Sequence, residues 1–306
     1  MSALRQALAD YLTVRRSLGF KLNDSERLLN QFVAFLEERG QKYVTIEAAV
    51  AWATLPIQGH RRWLNSRLTI VRRFAIHLRG IDSLTEVPPS DLLPGQKLRA
   101  TPYLYSGDEI AALMELSATL TGSYRQQTYR TLIGLLSVTG MRIGEAIALD
   151  QGDLDVSSGV LTIRLGKFGK SRMLPLHPST LAALGRYLCR SDRPFLHSNA
   201  LLVSATGKRL HYNCVHRTFK KLVQRAGIAP RSAECRPRLH DFRHGFAVNT
   251  ILDEYRDNGD PGAKLALLST YLGHTDPAHT YWYLSAAPEL LKLAGDRLER
   301  HLGGDK

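Results

Sequence analysis

The sequence predicts a mainly α-helical protein with a small β-sheet, arranged as two domains. Apolar residues recur at helical spacing along most of the chain, whereas only 160–165 and 172–176 have the character of strands. A length of 306 residues is enough for two domains that each bury a core. The composition, 44% hydrophobic and 23% charged, is typical of a folded chain and excludes a mostly disordered one.

The first domain, residues 1–87, is predicted to be a compact bundle of about four helices. Asn23-Asp24 is a helix start signal, and Gly40 ends the second helix. The apolar spacing places the helices over 2–18, 23–39, 45–53 and 59–79. The last of these is basic, and its arginines are Arg61, Arg62, Arg67, Arg72 and Arg73.

A proline-rich linker, residues 88–103, is predicted to separate the two domains, because closely spaced prolines favour an extended and stiff connection. The second domain then covers 104–306. Two strands in it are joined by a glycine-punctuated hairpin, Gly166 to Lys170. Helices are predicted over 107–119, 126–139, 142–149, 178–190, 211–227, 240–255, 262–271, 276–283 and 287–301.

The positive charge is concentrated in one part of the chain. Residues 160–245 hold 17 Lys and Arg against three acidic residues, a balance of +14, while the whole chain carries +13. A face tuned for solubility is one explanation. One contiguous basic stretch favours a polyanion, with nucleic acid as the leading candidate. An anionic membrane surface is disfavoured because these cations do not follow one amphipathic helix.

Several classes of protein are disfavoured by simple features. Three cysteines, Cys189, Cys214 and Cys235, without CxxC spacing indicate neither a disulfide scaffold nor a zinc module. The charged N-terminus has no secretory h-region, and no stretch approaches a membrane span. We therefore expect a cytoplasmic protein.

Two short clusters could bind or protonate a phosphate ester. In Thr139 to Glu145, a glycine turn opens a helix whose first turn carries Arg142, and Glu145 lies on the same face. In the hairpin, Lys167 sits on a turn from which it could reach a cleft and donate a proton. An ordinary capping turn with a surface ion pair and an exposed basic turn are the plain alternatives.

Two further clusters lie nearer the C-terminus. His240 and Arg243 are three residues apart, so they share one face of a helix and could contact oxygens of one phosphate. His274 follows a glycine, and Tyr281 and Tyr283 end a short helix. A tyrosine can act as a nucleophile where cations stabilise its phenolate, although such aromatic residues are more often part of a core.

Together, in this order and spacing, the four clusters resemble the active site of the tyrosine recombinases, also called the phage integrase family. The resemblance spans the whole chain. It implies an N-terminal helical, SAM-like core-binding domain and a catalytic domain that together form a C-shaped DNA clamp. The catalytic positions it carries over are Arg142, Lys167, His240, Arg243, His274 and Tyr283, with Glu145 in support. The DNA contacts we expect are the five arginines of the fourth helix, Lys170 and Arg172.

The sequence departs from the family pattern in three places. The hairpin reads GKFGK, which leaves Lys170 as a substitute for Lys167, and Tyr281 precedes Tyr283 by two residues. The stretch 251–268 is longer than usual, and a partner or regulatory surface is one explanation.

The resemblance implies a site-specific recombinase that acts on double-stranded DNA through a 3′-phosphotyrosyl intermediate, without a metal or an energy cofactor. It also implies a dimer on each site, a tetramer in synapsis and a nucleoid-associated protein. A C-terminal helix, 289–302, either closes its own core or docks on a neighbouring protomer. A type IB topoisomerase-like enzyme and a non-catalytic DNA-binding regulator are the alternatives. Integration, transposition, dimer resolution and inversion all stay open as biological roles.

Overall fold

The computed structural model describes residues 2–56, 61–93, 100–164, 171–195, 197–274, 280–281 and 288–302. The chain forms two compact units, Met1–Arg99 and Ala100–Lys306. Helices dominate both units, and one three-stranded sheet lies in the second. The predicted fold class, mainly α with a small sheet, is confirmed.

The first unit is a bundle of four helices. They are α1 (Ala3–Ser17), α2 (Asn23–Glu38), α3 (Ile46–Thr54) and α4 (Arg61–Arg79). Side-chain oxygens cap two helices, because Ser2 accepts from the backbone N–H of Arg5 and Thr45 from that of Ala48. The apolar stripes meet in a core that includes Phe32, Trp52 and Phe74. This architecture agrees with the predicted bundle.

The proline-rich segment is packed at both of its described ends. Val87 and Leu93 lie against the core of the first unit. Tyr103 and Tyr105 are buried in the core of the second unit. The residues between them, 94–99, lie outside the described part of the chain.

The second unit surrounds a helical core with a small sheet at one side. Its helices before the sheet are α5 (Gly107–Leu116), α6 (Ser123–Thr139) and α7 (Ile143–Ala148), with 3₁₀ turns at Ser117–Thr119 and Gln151–Asp153. The helices after the sheet are α8 (Pro178–Leu188), α9 (Tyr212–Arg225), α10 (Asp241–Arg256), α11 (Pro261–Leu272) and α12 (Pro288–Leu302).

The sheet is antiparallel, in the order β1 (Leu154–Asp155), β2 (Val160–Ile163) and β3 (Arg172–Pro175). Leu161 pairs with Leu174, and both are fully buried. The sequence did not predict β1, since two residues are too few to show a strand pattern. The predicted hairpin turn lies in 165–170, outside the described residues.

The stretch that the sequence marks as unusually long, 251–268, belongs to the core. It consists of the end of α10, a turn and most of α11. Asp260 caps α11 by accepting from the backbone N–H groups of Gly262 and Ala263. Ile251, Leu265 and their neighbours form an apolar cluster that also takes up Leu290 of α12. No described helix is both long enough and apolar enough to cross a membrane.

Candidate active site

The turn between α6 and α7 places Arg142 at the start of a helix. α6 ends at Gly140, whose φ of 58° lies in the left-handed region that favours glycine. A Cβ at this position would also lie 2.5 Å from the ring of Phe246. Two residues later the chain begins α7, with Arg142 as the N-cap residue. The geometry therefore requires the glycine that the sequence singled out.

Glu145 is the centre of a hydrogen-bonded cluster. Its Oε2 accepts from the backbone N–H of Arg142 at 2.9 Å, and its Oε1 accepts from Arg142 Nη1 at 2.8 Å. Arg172 on β3 donates to the same carboxylate, from Nη1 to Oε1 at 3.1 Å and from Nη2 to Oε2 at 2.8 Å. Burial disfavours the charged carboxylate, but the hydrogen bonds from Arg172 and Arg142 outweigh it and lower the pKa of Glu145 to about 2. Glu145 is therefore ionised at neutral pH.

Arg172 occupies a different environment from the one predicted. The sequence predicts it as a DNA contact. In the structure only 14% of its side chain is exposed, and both terminal nitrogens donate to Glu145. The correction has a simple cause: Glu145 lies 27 positions earlier in the chain, and only the fold brings it to β3.

Arg243 lies in the interior, beneath the turn that carries His274. It is 1% exposed. Its Nη1 donates to the carbonyl of Gly140 at 3.0 Å and its Nη2 to the carbonyl of Leu272 at 2.6 Å. Nη2 also lies 2.9 Å from His274 Nε2. Arg243 thus connects the turn before α7 with the end of α11.

The same contacts fix the protonation of His274. Since Arg243 can only donate, His274 Nε2 is the acceptor, and in the neutral ring the proton sits on Nδ1. That nitrogen lies 2.7 Å from Oγ1 of Thr280, which is fully buried. The sequence analysis did not single out Thr280. Its only signal is a hydroxyl six residues after a histidine, which does not by itself indicate a contact.

His240 lies at the start of α10, where it keeps an exposed position. Desolvation of the ring lowers the pKa of His240 to about 4, and the neighbouring Arg243 and Arg142 guanidinium groups act in the same direction. At neutral pH the imidazole is uncharged and can accept a proton.

His240 is in contact with His244, which is itself held by Asp241. The ring of His244 meets it edge to face, with centroids 4.8 Å apart, and His244 Nδ1 lies 2.9 Å from Oδ1 of the fully buried Asp241. Arg238 donates to both oxygens of that carboxylate. The His244 ring beside His240 is thus held by a buried carboxylate that has its own counter-charge.

Three of the predicted site residues cannot be placed. Lys167 and Lys170 fall in 165–170, and Tyr283 falls in 282–287, both outside the described residues. Tyr281 is described; it is helical and 59% exposed.

The arginines of α4 separate into two groups. Arg61, Arg62 and Arg73 are exposed, as DNA contacts must be. The other two make contacts within the first unit. Arg67 is 7% exposed, donates to the carbonyl of Trp52 at 2.8 Å and covers the Trp52 ring, and Arg72 donates to the carbonyl of Pro88 at 3.0 Å. Arg67 therefore links α4 to α3, and Arg72 links α4 to the segment that follows the bundle.

The basic stretch 160–245 is also partly neutralised. Acidic side chains pair with Arg164, Arg172, Arg190, Arg209 and Arg238. The solvent face of α9 remains basic, with Arg217, Lys220 and Lys221 exposed. Among the described residues, no three His, Cys, Asp or Glu side chains converge in a way that could hold a metal ion.

Both the sequence and the fold of this chain are similar to those of known integrases and recombinases. Residues 104–289 match the phage integrase family. An integrase/recombinase of Sinorhizobium fredii, y4rB, is 44% identical over 98% of this chain and 98% of its own length. The tyrosine recombinase XerC of Herpetosiphon aurantiacus is 29% identical over 92% of this chain and 89% of its own length. The integrase of transposon Tn1549, solved in complex with a circular intermediate DNA, matches in fold with a TM-score of 0.64 and 18% identity, covering 98% of this chain and 100% of that one.

Proposed function

Because this chain belongs to the phage integrase family, the family of the tyrosine recombinases, we propose that it cuts and rejoins double-stranded DNA at specific sites by transesterification. One observation carries the proposal. The fold brings together Arg142, His240, Arg243 and His274, which come from three separate parts of the sequence. Arg142 shares Glu145 with Arg172, Arg172 lies beside the Gly273 that precedes His274, and Arg243 Nη2 lies 2.9 Å from His274 Nε2. Arg142 and Arg243 are also close enough to His240 to lower its pKa. Such a cluster of donors suits a phosphate that gains negative charge in the transition state.

The first step that we propose transfers one proton to a base and one to the leaving group. The hydroxyl oxygen of Tyr283 attacks the phosphorus of a phosphodiester, and the bond from phosphorus to the 5′ oxygen breaks. Neutral His240 accepts the tyrosine proton, which its pKa of about 4 permits at neutral pH. Lys167 donates a proton to the leaving 5′ oxygen. A 5′ hydroxyl of another strand then reverses these steps, so the energy of the ester is kept in the 3′-phosphotyrosyl bond.

The arginines differ in how they stabilise the charge. Arg142 keeps 22% of its side chain exposed, and Glu145 engages its Nη1, so its other N–H groups are the donors for a non-bridging oxygen. Arg243 is buried against Gly140, Leu272 and His274. We propose that a bound phosphate takes over the contact that Arg243 Nη2 makes with His274, so that Arg243 donates to the substrate.

Covalent trapping on a nicked duplex tests the reaction. Wild-type protein should form a protein–DNA adduct, Tyr283→Phe should not, and Tyr281→Phe should behave like wild type. An adduct in Tyr283→Phe that is lost in Tyr281→Phe would show that the wrong nucleophile was assigned. Absence of any wild-type adduct would refute the proposed function. A plasmid relaxation assay beside a two-site exchange assay separates recombination from topoisomerase-like relaxation.

DNA binding is proposed to be largely electrostatic. The exposed cations of α4 and α9 supply phosphate contacts on both units. Affinity should therefore fall steeply between about 50 and 200 mM salt, and a salt-independent affinity would contradict this. A protein that binds DNA in this way is expected with the nucleoid.

The sequence left two roles open for the C-terminal helix α12: closing its own core and docking on a neighbouring protomer. The helix has features of both. Leu290 is 3% exposed and closes the core beside α10 and α11. Leu291 and Leu298, seven positions apart on one face, are 61% and 57% exposed. We propose that this face contacts a neighbouring protomer in a dimer on each site and a tetramer in synapsis. Leu291→Glu with Leu298→Glu should impair assembly on two-site DNA while cleavage of a single nicked site persists; unchanged assembly would remove the partner role.

A further inference from the structure

Arg172 contacts two parts of the candidate site that are far apart in sequence. On one side its forked guanidinium forms two hydrogen bonds to Glu145, which in turn binds Arg142. On the other side it lies against Gly273, where a Cβ would be 3.2 Å from Arg172 Nη1. Gly273 has a φ of 67° and directly precedes His274. The Arg172 side chain therefore lies against both the turn that carries Arg142 and the turn that carries His274.

The side chain is held there by its forked end. Its Nε is buried and has no hydrogen-bond partner among the described residues, so the two terminal nitrogens carry the polar contacts. A lysine would keep the charge but could not make the paired contact with both carboxylate oxygens.

The charges give Arg172 a second effect. Glu145 alone would neutralise Arg142 and weaken its attraction for a phosphate, since opposite charges at hydrogen-bond distance cancel at longer range. With Arg172 on the same carboxylate, the three groups keep one net positive charge. Arg172 therefore preserves the positive potential that Arg142 offers to the substrate.

We propose that Arg172 is a positioning residue of the recombinase, which acts on the phosphate through Glu145 and Arg142 and through the Gly273 turn, and not as a direct DNA contact. This inference rests on the proposed function. It differs from the sequence-based expectation in a measurable way, because a positioning residue affects the chemical step and a phosphate contact affects binding.

The test measures single-turnover cleavage of a saturating nicked duplex and, separately, DNA affinity as a function of salt. We expect Arg172→Met to slow cleavage roughly 100-fold and Arg172→Lys roughly 10-fold, no more than the roughly 100- to 1000-fold that outright loss of a transition-state donor costs. Affinity should stay within about twofold, with the salt slope unchanged. Met173→Ala, at the adjacent and 71% exposed position on β3, is the matched control and should match wild type in both assays.

A double variant shows whether Arg172 acts through Glu145. In Glu145→Gln the paired carboxylate is already gone, so adding Arg172→Met should cost clearly less in rate than the roughly 100-fold expected in the wild-type background, and what remains reports the contact at the Gly273 turn. Thermal unfolding checks that each variant folds, and Arg172→Lys carries the test should Arg172→Met fail to fold.

Four outcomes would overturn the inference. The first is cleavage by Arg172→Lys at the wild-type rate. The second is an Arg172→Met variant that cleaves saturating DNA at the wild-type rate but binds DNA with a salt slope lowered by about one. The third is full additivity in the double variant, and the fourth is an equal loss of cleavage in Met173→Ala. Failure of the wild-type protein itself to form an adduct would instead refute the proposed function on which the inference rests.

Discussion

Replacing Glu145 by glutamine should destabilise the second unit by an amount that depends on pH. The carboxylate is 7% exposed and accepts hydrogen bonds from Arg142 and Arg172. A pKa lowered from 4.5 to about 2 corresponds to ~3 kcal/mol in favour of the folded state, at about 1.4 kcal/mol per pH unit. Glutamine has almost the same shape but presents an N–H₂ group where one oxygen accepts.

The direction in which this stability changes with pH follows from the lowered pKa of Glu145. The unfolded chain binds the proton more readily, so the contribution is fully present above about pH 4.5 and is lost as the pH falls towards 2. The difference in unfolding free energy between wild type and Glu145→Gln should be ~3 kcal/mol at pH 7 and about half of that at pH 3. Other carboxyl groups titrate in both proteins and cancel in this difference.

Urea denaturation followed by circular dichroism at several pH values measures the effect. Glu115→Gln, at an exposed position of α5, is the control and should change stability by less than about 0.5 kcal/mol. A difference below about 0.5 kcal/mol for Glu145→Gln at pH 7, or one that stays constant between pH 7 and 3, would refute the assigned network.

Three further predictions concern other parts of the chain. Thr280→Val removes the acceptor for His274 Nδ1 and should slow cleavage roughly 10- to 100-fold at unchanged DNA affinity, whereas Thr280→Ser should restore the rate; equal rates for both would contradict the tautomer argument. The rate at subsaturating DNA should rise with pH through about 4 and then level off as His240 becomes neutral, and a midpoint above 6 would exclude a neutral resting base. Arg67→Met should leave the salt slope of DNA binding unchanged, whereas the exposed Arg73→Ala should lower it by about one; the opposite order would reverse the assignment.

The candidate site could be predicted from the sequence only as a set of residue types. The glycine before Met141, the spacing of His240 and Arg243, and the histidine after Gly273 are local patterns, and they drew attention to turns that the fold brings close together. Thr280 was missed because its role depends on one contact to His274 and on burial. Lys167 and Tyr283 stay predictions, since both lie outside the described residues.

By itself the sequence determined the helices, the small sheet and the family, because periodicity, capping residues and short motifs are encoded over a few neighbouring positions. The tertiary structure decided which arginines are exposed to solvent and which are buried. Arg67 and Arg73 are alike in sequence, yet one is buried against Trp52 and the other faces solvent. Arg172, which the sequence predicted as a DNA contact, is largely buried and donates to Glu145. Local spacing predicted the pairing of Arg142 with Glu145, whereas the partners of Arg67 and Arg172 are set by long-range packing, which no local pattern contains.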